Sequence, residues 1–323
     1  MARPSVFVTR RWPSAVEGQL MQHYDVTLNT ADVPLTPAEM RDVFTKYDAV
    51  LPTVTDNISA HALDVKKPQT KILGNYGVGY SHICAASARN LNLTVTNSPD
   101  VLSECTADIA MTLLLMVARR AGEGERELRA GHWQGWRPTH LIGTKVSGKT
   151  IGIVGFGRIG REMARRAHFG FGMKVLVQNR SPVDPKILTE YGAEQVTDLD
   201  ALLPRCDFVS LHCPGGAANR HLINSRRLDL MRPGAFLINT SRGEVINEHD
   251  LIQALAFDTI GGAGLDVFDA EPRISPGLMQ SDKLVMLPHL GSATSETREA
   301  MGFRVLDNLS DFFQGRTPRD RVI

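Results

Sequence analysis

The chain has 323 residues, 42% of them hydrophobic, which exceeds the usual size of one core and predicts two domains. Its 36 basic and 35 acidic residues are interspersed with a net charge of +1 and no basic block, which argues against nucleic acid as a partner. The longest apolar stretch, Met111 to Ala118, is far too short to span a bilayer, and the four cysteines form no Cys-x-x-Cys motif. A cytoplasmic protein with reduced, packed thiols, no membrane partner and no metal site is expected, since His212 beside Cys213 is a pair without further ligands.

In chain order, the N-terminus reads as a strand, Val6 to Thr9, rather than a signal peptide. Residues 1 to 98 alternate strands (Ser5 to Thr9, Ala49 to Leu51, Lys71 to Gly74, Thr94 to Thr96) with helical patterns such as Thr36 to Phe44, giving a smaller α/β domain. Asp100 to Arg120 reads as a long helix, apolar almost all round between Ile109 and Val117, and is predicted to be buried between domains or subunits. Gly122 to Ser147, with Trp133, Trp136 and Pro138, shows little periodicity and reads as a functional or interface loop.

Lys149 to Val154 then forms a strand that runs into Gly155-Phe156-Gly157-Arg158-Ile159-Gly160 and a helix with Ile159, Met163 and Ala167 on one face; Met173 to Val177 closes the unit as a second strand. Gly155 permits the tight turn, Gly157 lets the backbone approach a pyrophosphate, and Gly160 lets the helix pack on the strand, so this segment predicts dinucleotide binding with the phosphates at the helix N-terminus. An NAD-type site would place an acidic residue about 20 residues further on. That position is Asn179, flanked by Arg180 and Ser181, so the sequence favours NADP (NADPH), with NAD used less efficiently.

Downstream, three short apolar runs, Ala235 to Thr240, Gly262 to Leu265 and Lys283 to Pro288, read as buried parallel strands. Arg242, Asp266, Glu271 and His289 follow their ends, where an α/β sheet binds ligands. An imidazole titrates near neutral pH and suits proton transfer, with Glu271 as a partner that favours the imidazolium. Arg242 offers a fixed fork of donors for a carboxylate and a carbonyl oxygen. Asp266 is assigned either to positioning near His289 and the nicotinamide or to a structural role. The last helix, about Ser295 to Gly315, carries Met301, Val305, Leu309 and Phe312 on one face; if it packs on the first domain, that domain is discontinuous.

Together Asn75-Tyr76-Gly77-Val78-Gly79, Ser98-Pro99-Asp100-Val101 with Thr106-Ala107-Asp108, the glycine fingerprint, Asn239-Thr240-Ser241-Arg242-Gly243, Gly264-Leu265-Asp266-Val267-Phe268 with Glu271-Pro272, and Pro288-His289 resemble the D-isomer-specific 2-hydroxyacid dehydrogenases. Within them the chain is similar to the glyoxylate and hydroxypyruvate reductases. The spacings match as well: 24 residues from Arg242 to Asp266, 5 on to Glu271 and 18 more to His289.

The resemblance implies an α/β fold of two Rossmann-like domains. A doubly wound, parallel-sheet NAD(P)-binding domain (99–290) would be inserted into a smaller flavodoxin-like substrate domain (1–98 and 291–323). It also implies a catalytic cleft between them, a homodimer, and a small 2-oxo acid as substrate. It adds Thr106, Cys213, Pro214 and Thr240 to the dinucleotide site, and Val78, Gly79 and Trp136 to the substrate site. His82 reads as a packing residue, and Leu51-Pro52-Thr53-Val54-Thr55 lacks the Arg that phosphoglycerate dehydrogenases of the family tend to carry, which disfavours a phosphorylated substrate. Two other readings remain open: an NAD-dependent dehydrogenase of another small 2-hydroxy acid, and a non-catalytic dinucleotide sensor similar to the C-terminal-binding-protein corepressors. Against the sensor stand the filled catalytic positions and the expected lack of a disordered extension.

Overall fold

The computed structural model describes residues 3–323 and divides into two compact units, one of the described residues up to Leu102 with Ala293–Ile323, the other Ser103–Ser292. In the first, β1 (Ser5–Val8), β2 (Asp25–Leu28), β3 (Ala49–Leu51), β4 (Ile72–Gly74) and β5 (Thr94–Thr96) form a parallel sheet of order β2-β1-β3-β4-β5, a flavodoxin-like arrangement. Phe7, Met40, Phe44, Val50, Leu73 and Val95 belong to one apolar core of this unit. Helix Ser295–Phe313 returns to pack on β4 and on helix Ser14–His23. A Cβ on Gly74 would stand 2.7 Å from Val305 Cγ1, so the missing side chain is what lets the helix come so close.

The second unit holds β6 (Thr150–Val154), β7 (Lys174–Gln178), β8 (Ala193–Gln195), β9 (Phe208–Leu211), β10 (Phe236–Asn239), β11 (Gly262–Leu265) and β12 (Leu284–Met286). All pair in parallel, in the order β12-β11-β10-β9-β6-β7-β8. The order reverses at β6, so the carboxyl ends of β6 and β9 flank the crevice where a doubly wound sheet takes its ligand. Apolar clusters lie around Leu202, Val209, Leu237 and Leu251, and around Leu113, Ile153, Met163 and Phe236. This is the buried parallel sheet that the short apolar runs predicted.

Several local readings need correction. The long helix is Ser103–Ala118, and its apolar side (Ala110, Leu113, Leu114, Val117) packs on the sheet of its own unit, while Glu104, Asp108 and Thr112 stay exposed. Glycine-rich β11 lets this side come close, since a Cβ on Gly264 would lie 2.9 Å from Leu113 Cβ, while Ile109, Leu115 and Met116 are only half-buried. The segment after it is not all loop, since Ala121–Arg129 is helical. Gly122 and Gly124 mask that helix in the sequence, and it buries no residue; ion pairs Arg120–Glu123 and Glu125–Arg129 support it. Two edge strands, β2 and β8, and the central β9 have no counterpart among the predicted strands. Of the cysteines, Cys206 and Cys213 are buried, with burial pushing the thiols up to about 12 and about 11, but Cys84 and Cys105 are only half-buried. Among the described residues no helix is long and apolar enough to cross a membrane.

Candidate active site

The turn after β6 is built as a cradle. Gly155 adopts a left-handed φ of 93°, and a Cβ there would lie 2.7 Å from Cys213 N, so the loops after β6 and β9 meet at a point only glycine can occupy. A Cβ on Gly160 would overlap the Gly155 carbonyl oxygen, which fixes the helix against the turn. A Cβ on Gly157 would meet nothing within 4 Å, so at this residue the backbone faces open space. Gly157 is also the N-cap of helix Arg158–Arg165 and supplies no side-chain cap, leaving the N–H groups of Arg158, Ile159 and Gly160 at the helix's positive end. Around this mouth Thr240 Oγ1 and His212 Nδ1 are shielded from solvent and have no hydrogen-bond partner among the described residues, and burial lowers His212 to about 4, so its ring is neutral. A pyrophosphate-bearing dinucleotide fits this donor set.

Asn179, just past β7, uses its side chain locally: Oδ1 accepts from Phe156 N–H at 3.3 Å and Nδ2 donates to the Ser181 carbonyl at 3.0 Å. Arg180 and Ser181 beside it are exposed. Cys213 is buried next to the glycine turn, and the Pro214 carbonyl accepts from Asn219 Nδ2.

At the far side of the same sheet edge, Glu271 bridges two loops. Its Oε1 accepts from Phe268 N–H at 2.9 Å, and its Oε2 lies 2.8 Å from His289 Nδ1. Burial works against ionisation of Glu271, but the His289 hydrogen bond and charge, the Phe268 N–H and the Arg242 charge outweigh it and hold the carboxyl below its usual range. His289 itself sits at φ 56°, a strained conformation for a non-glycine residue, and its side chain remains 33% exposed. Asp266, 1% exposed, accepts from Leu290 N–H (2.7 Å) and Gly291 N–H (2.8 Å), and Thr106 Oγ1 donates to the Gly291 carbonyl at 3.1 Å. Burial raises the Asp266 carboxyl despite these donors. Both residues therefore clamp the turn that carries His289.

Arg242 follows β10 on an extended residue, and the next turn is pinned because any Cβ on Gly243 would collide with the Phe268–Asp269 backbone. Burial pulls the Arg242 guanidinium down from its usual value, opposed by the charges of Glu271 and Glu244. Arg242, Glu271, His289 and Asp266 thus come together at the carboxyl edge of β10, β11 and β12. Val78 and Gly79 belong to the other unit, where their carbonyls accept from Asn97 and Asn75 and their N–H groups have no acceptor among the described residues. Trp136 is 83% exposed and is not packed into the pocket of its own unit. The sequence reading missed Glu244 and the pair Gly215-Gly216; the motif Arg242-Gly243-Glu244, with a second acid two residues after the cation, was the available signal.

A glycine cradle at the switch point and an Arg, Glu, His set at the neighbouring strand ends define a dinucleotide-dependent oxidoreductase. Residues 111–291 match the NAD binding domain of the D-isomer specific 2-hydroxyacid dehydrogenases, and the chain belongs to that family. It is 41% identical to a glyoxylate reductase of Thermococcus litoralis over 99% of this chain and 97% of that protein. Among solved structures it resembles a glyoxylate reductase from Paecilomyes thermophila (28% identity, TM-score 0.88, covering 100% and 99% of the two chains). It also resembles an NADPH-dependent glyoxylate/hydroxypyruvate reductase from Sinorhizobium meliloti solved with NADP and malonate (31% identity, TM-score 0.86, covering 99% and 97%).

Proposed function

We propose that the protein reduces glyoxylate to glycolate and hydroxypyruvate to D-glycerate, with NADPH as the preferred cofactor. The observation that carries this reading is the His289–Glu271 pair at 2.8 Å beside Arg242. Because Nδ1 faces the Glu271 carboxylate, Nε2 is the nitrogen left to hand a proton to the substrate oxygen. When bound, the reduced nicotinamide would supply a hydride, one proton with two electrons, to the carbonyl carbon. Arg242 holds the substrate carboxylate and draws charge from the carbonyl oxygen, which lowers the barrier where negative charge develops. After the transfer, Glu271 favours reprotonation of the imidazole from solvent. Gly155, Phe156, Gly157, Arg158, Ile159 and Gly160 would hold the pyrophosphate, with Thr240, Cys213 and Pro214 along the crevice and Asn179, Arg180 and Ser181 at the adenosine end. The relatives named glyoxylate reductase support the substrate class.

The test is a panel of small 2-oxo acids assayed with NADPH and with NADH by absorbance of the reduced nicotinamide. Glyoxylate and hydroxypyruvate should rank first, and no turnover of either would sink the reading.

A homodimer is proposed as well. Leu128, Trp133, Trp136 and Ile142 lie on or after helix Ala121–Arg129 and are 53–83% exposed, more large apolar surface than one short segment normally leaves in water. Light scattering at micromolar concentration should report twice the 35.5 kDa chain mass. A monomer, or a dimer that survives Trp133→Glu with Ile142→Glu, would exclude this surface.

A further inference from the structure

Arg242 is poorly tethered for a residue that must hold a substrate. Among the described residues its guanidinium makes one hydrogen bond, from Nη1 to the Ser241 carbonyl at 2.7 Å, which reaches only its own chain neighbour. What fixes its stem is the loop after β9. A Cβ on Gly215 would stand 2.9 Å from Arg242 Cγ and would also overlap Glu244 Oε1, so Gly215 fits closely between the two side chains.

Glu244 in turn holds that loop. Its Oε1 accepts the N–H of Gly216, which sits at a φ of 97°, and its carbonyl accepts from His221 N–H at 2.8 Å. Its Oε2 lies 3.7 Å from Arg220, whose guanidinium also bonds Asp269 at 3.1 Å on the loop that leads to Glu271. The Glu244 carboxylate therefore joins the loops after β9 and β10, Arg220 carries the link on to Asp269 after β11, and among the described residues Glu244 makes no hydrogen bond to His289 or Glu271.

We infer that Glu244 is a positioning residue for Arg242, acting through the hydrogen bond to Gly216 and the glycine seat at Gly215. This rests on Arg242 being the clamp for the substrate carboxylate. With the bond in place, the stem of Arg242 lies against Gly215 and the guanidinium meets the substrate in one geometry. Without it, the Gly215–Arg220 loop relaxes and the guanidinium must be ordered anew at each binding event, a cost that falls on substrate affinity. The proton donor and the dinucleotide cradle are unaffected.

The experiment measures glyoxylate kinetics at saturating NADPH, NADPH affinity and thermal midpoint for Glu244→Ala, Glu244→Gln, Gly215→Ala and Arg242→Ala. Loss of the bond should raise KM for glyoxylate about 10-fold in Glu244→Ala, with kcat changed less than about 2-fold and NADPH affinity unchanged, a misplacement effect of ordinary size. Glu244→Gln keeps an amide oxygen for Gly216 and should restore KM to within about 2-fold of the parent. Gly215→Ala should reproduce the KM rise by crowding both side chains. A Glu244→Ala enzyme with parental KM, or a Gln variant as weak as the Ala variant, would overturn the inference while leaving Arg242 in place. Parental KM in Arg242→Ala would instead overturn the clamp itself. If Glu244→Ala does not fold, the Gln and Gly215→Ala variants still decide the question.

Discussion

His289→Ala is expected to lower turnover of glyoxylate by about 100-fold or more while NADPH affinity stays close to the parent's, the usual consequence of removing a general acid. The structure separates these two properties. The imidazole makes its hydrogen bond to Glu271, at 2.8 Å, while the turn that carries it is held by other atoms: Asp266 takes the N–H groups of Leu290 and Gly291, and Thr106 bonds the Gly291 carbonyl. Truncation at Cβ should therefore leave the turn in place and remove only the proton. The glycine cradle follows β6, three strands away across the sheet order from β11, the strand that precedes Glu271. Steady-state rates with glyoxylate and a fluorescence titration with NADPH check the two halves. Parental turnover would take His289 out of the mechanism, and a large loss of cofactor affinity would mean that the turn had collapsed. Glu271→Gln should fall between the two enzymes, because the amide still contacts Nδ1 but no longer stabilises the imidazolium.

Much of this site can be read from the sequence because its parts obey local rules. Gly155, Gly157 and Gly160 each answer a separate steric demand, met in the structure by Cys213 N, by open space and by the Gly155 carbonyl. Arg242, Asp266 and His289 follow apolar runs because a parallel sheet delivers side chains at strand ends. What escaped the sequence depends on contacts between distant segments or on weak patterns. The role of Asp266 is set by N–H groups 24 and 25 residues away, which no spacing announces. Glu244 looks like a solvated acid until the loop after β9 is folded against it. Strands β2 and β8 lie at sheet edges and alternate half-buried with exposed residues, so they lack the apolar run that marks a central strand. The helix Ala121–Arg129 has charge pairs and no buried face, so hydrophobic periodicity cannot reveal it.

Catalytic efficiency with NADPH is expected to exceed that with NADH at least 10-fold, on the strength of the residues just past β7. A carboxylate there would accept hydrogen bonds from a ribose 2′-hydroxyl and repel a 2′-phosphate. The chain has Asn179 instead, and its amide is already committed to Phe156 N–H and the Ser181 carbonyl, so it stiffens the turn and carries no charge. Next to it Arg180 is exposed and forms no ion pair among the described residues, leaving its guanidinium available to a phosphate. A charge-assisted hydrogen bond of that kind contributes roughly 1.5 to 3 kcal/mol, or about 10-fold to 150-fold in affinity. Arg180→Ala should therefore narrow the preference mainly by weakening NADPH, with NADH kinetics nearly unchanged. Replacing Asn179 by Asp should act from the other side, placing negative charge where the phosphate would sit and favouring NADH. The measurement is kcat/KM for both cofactors at saturating glyoxylate in the three enzymes. Equal efficiencies in the parent, or an Arg180→Ala enzyme that keeps its full preference, would mean that the phosphate is recognised by other residues or not at all.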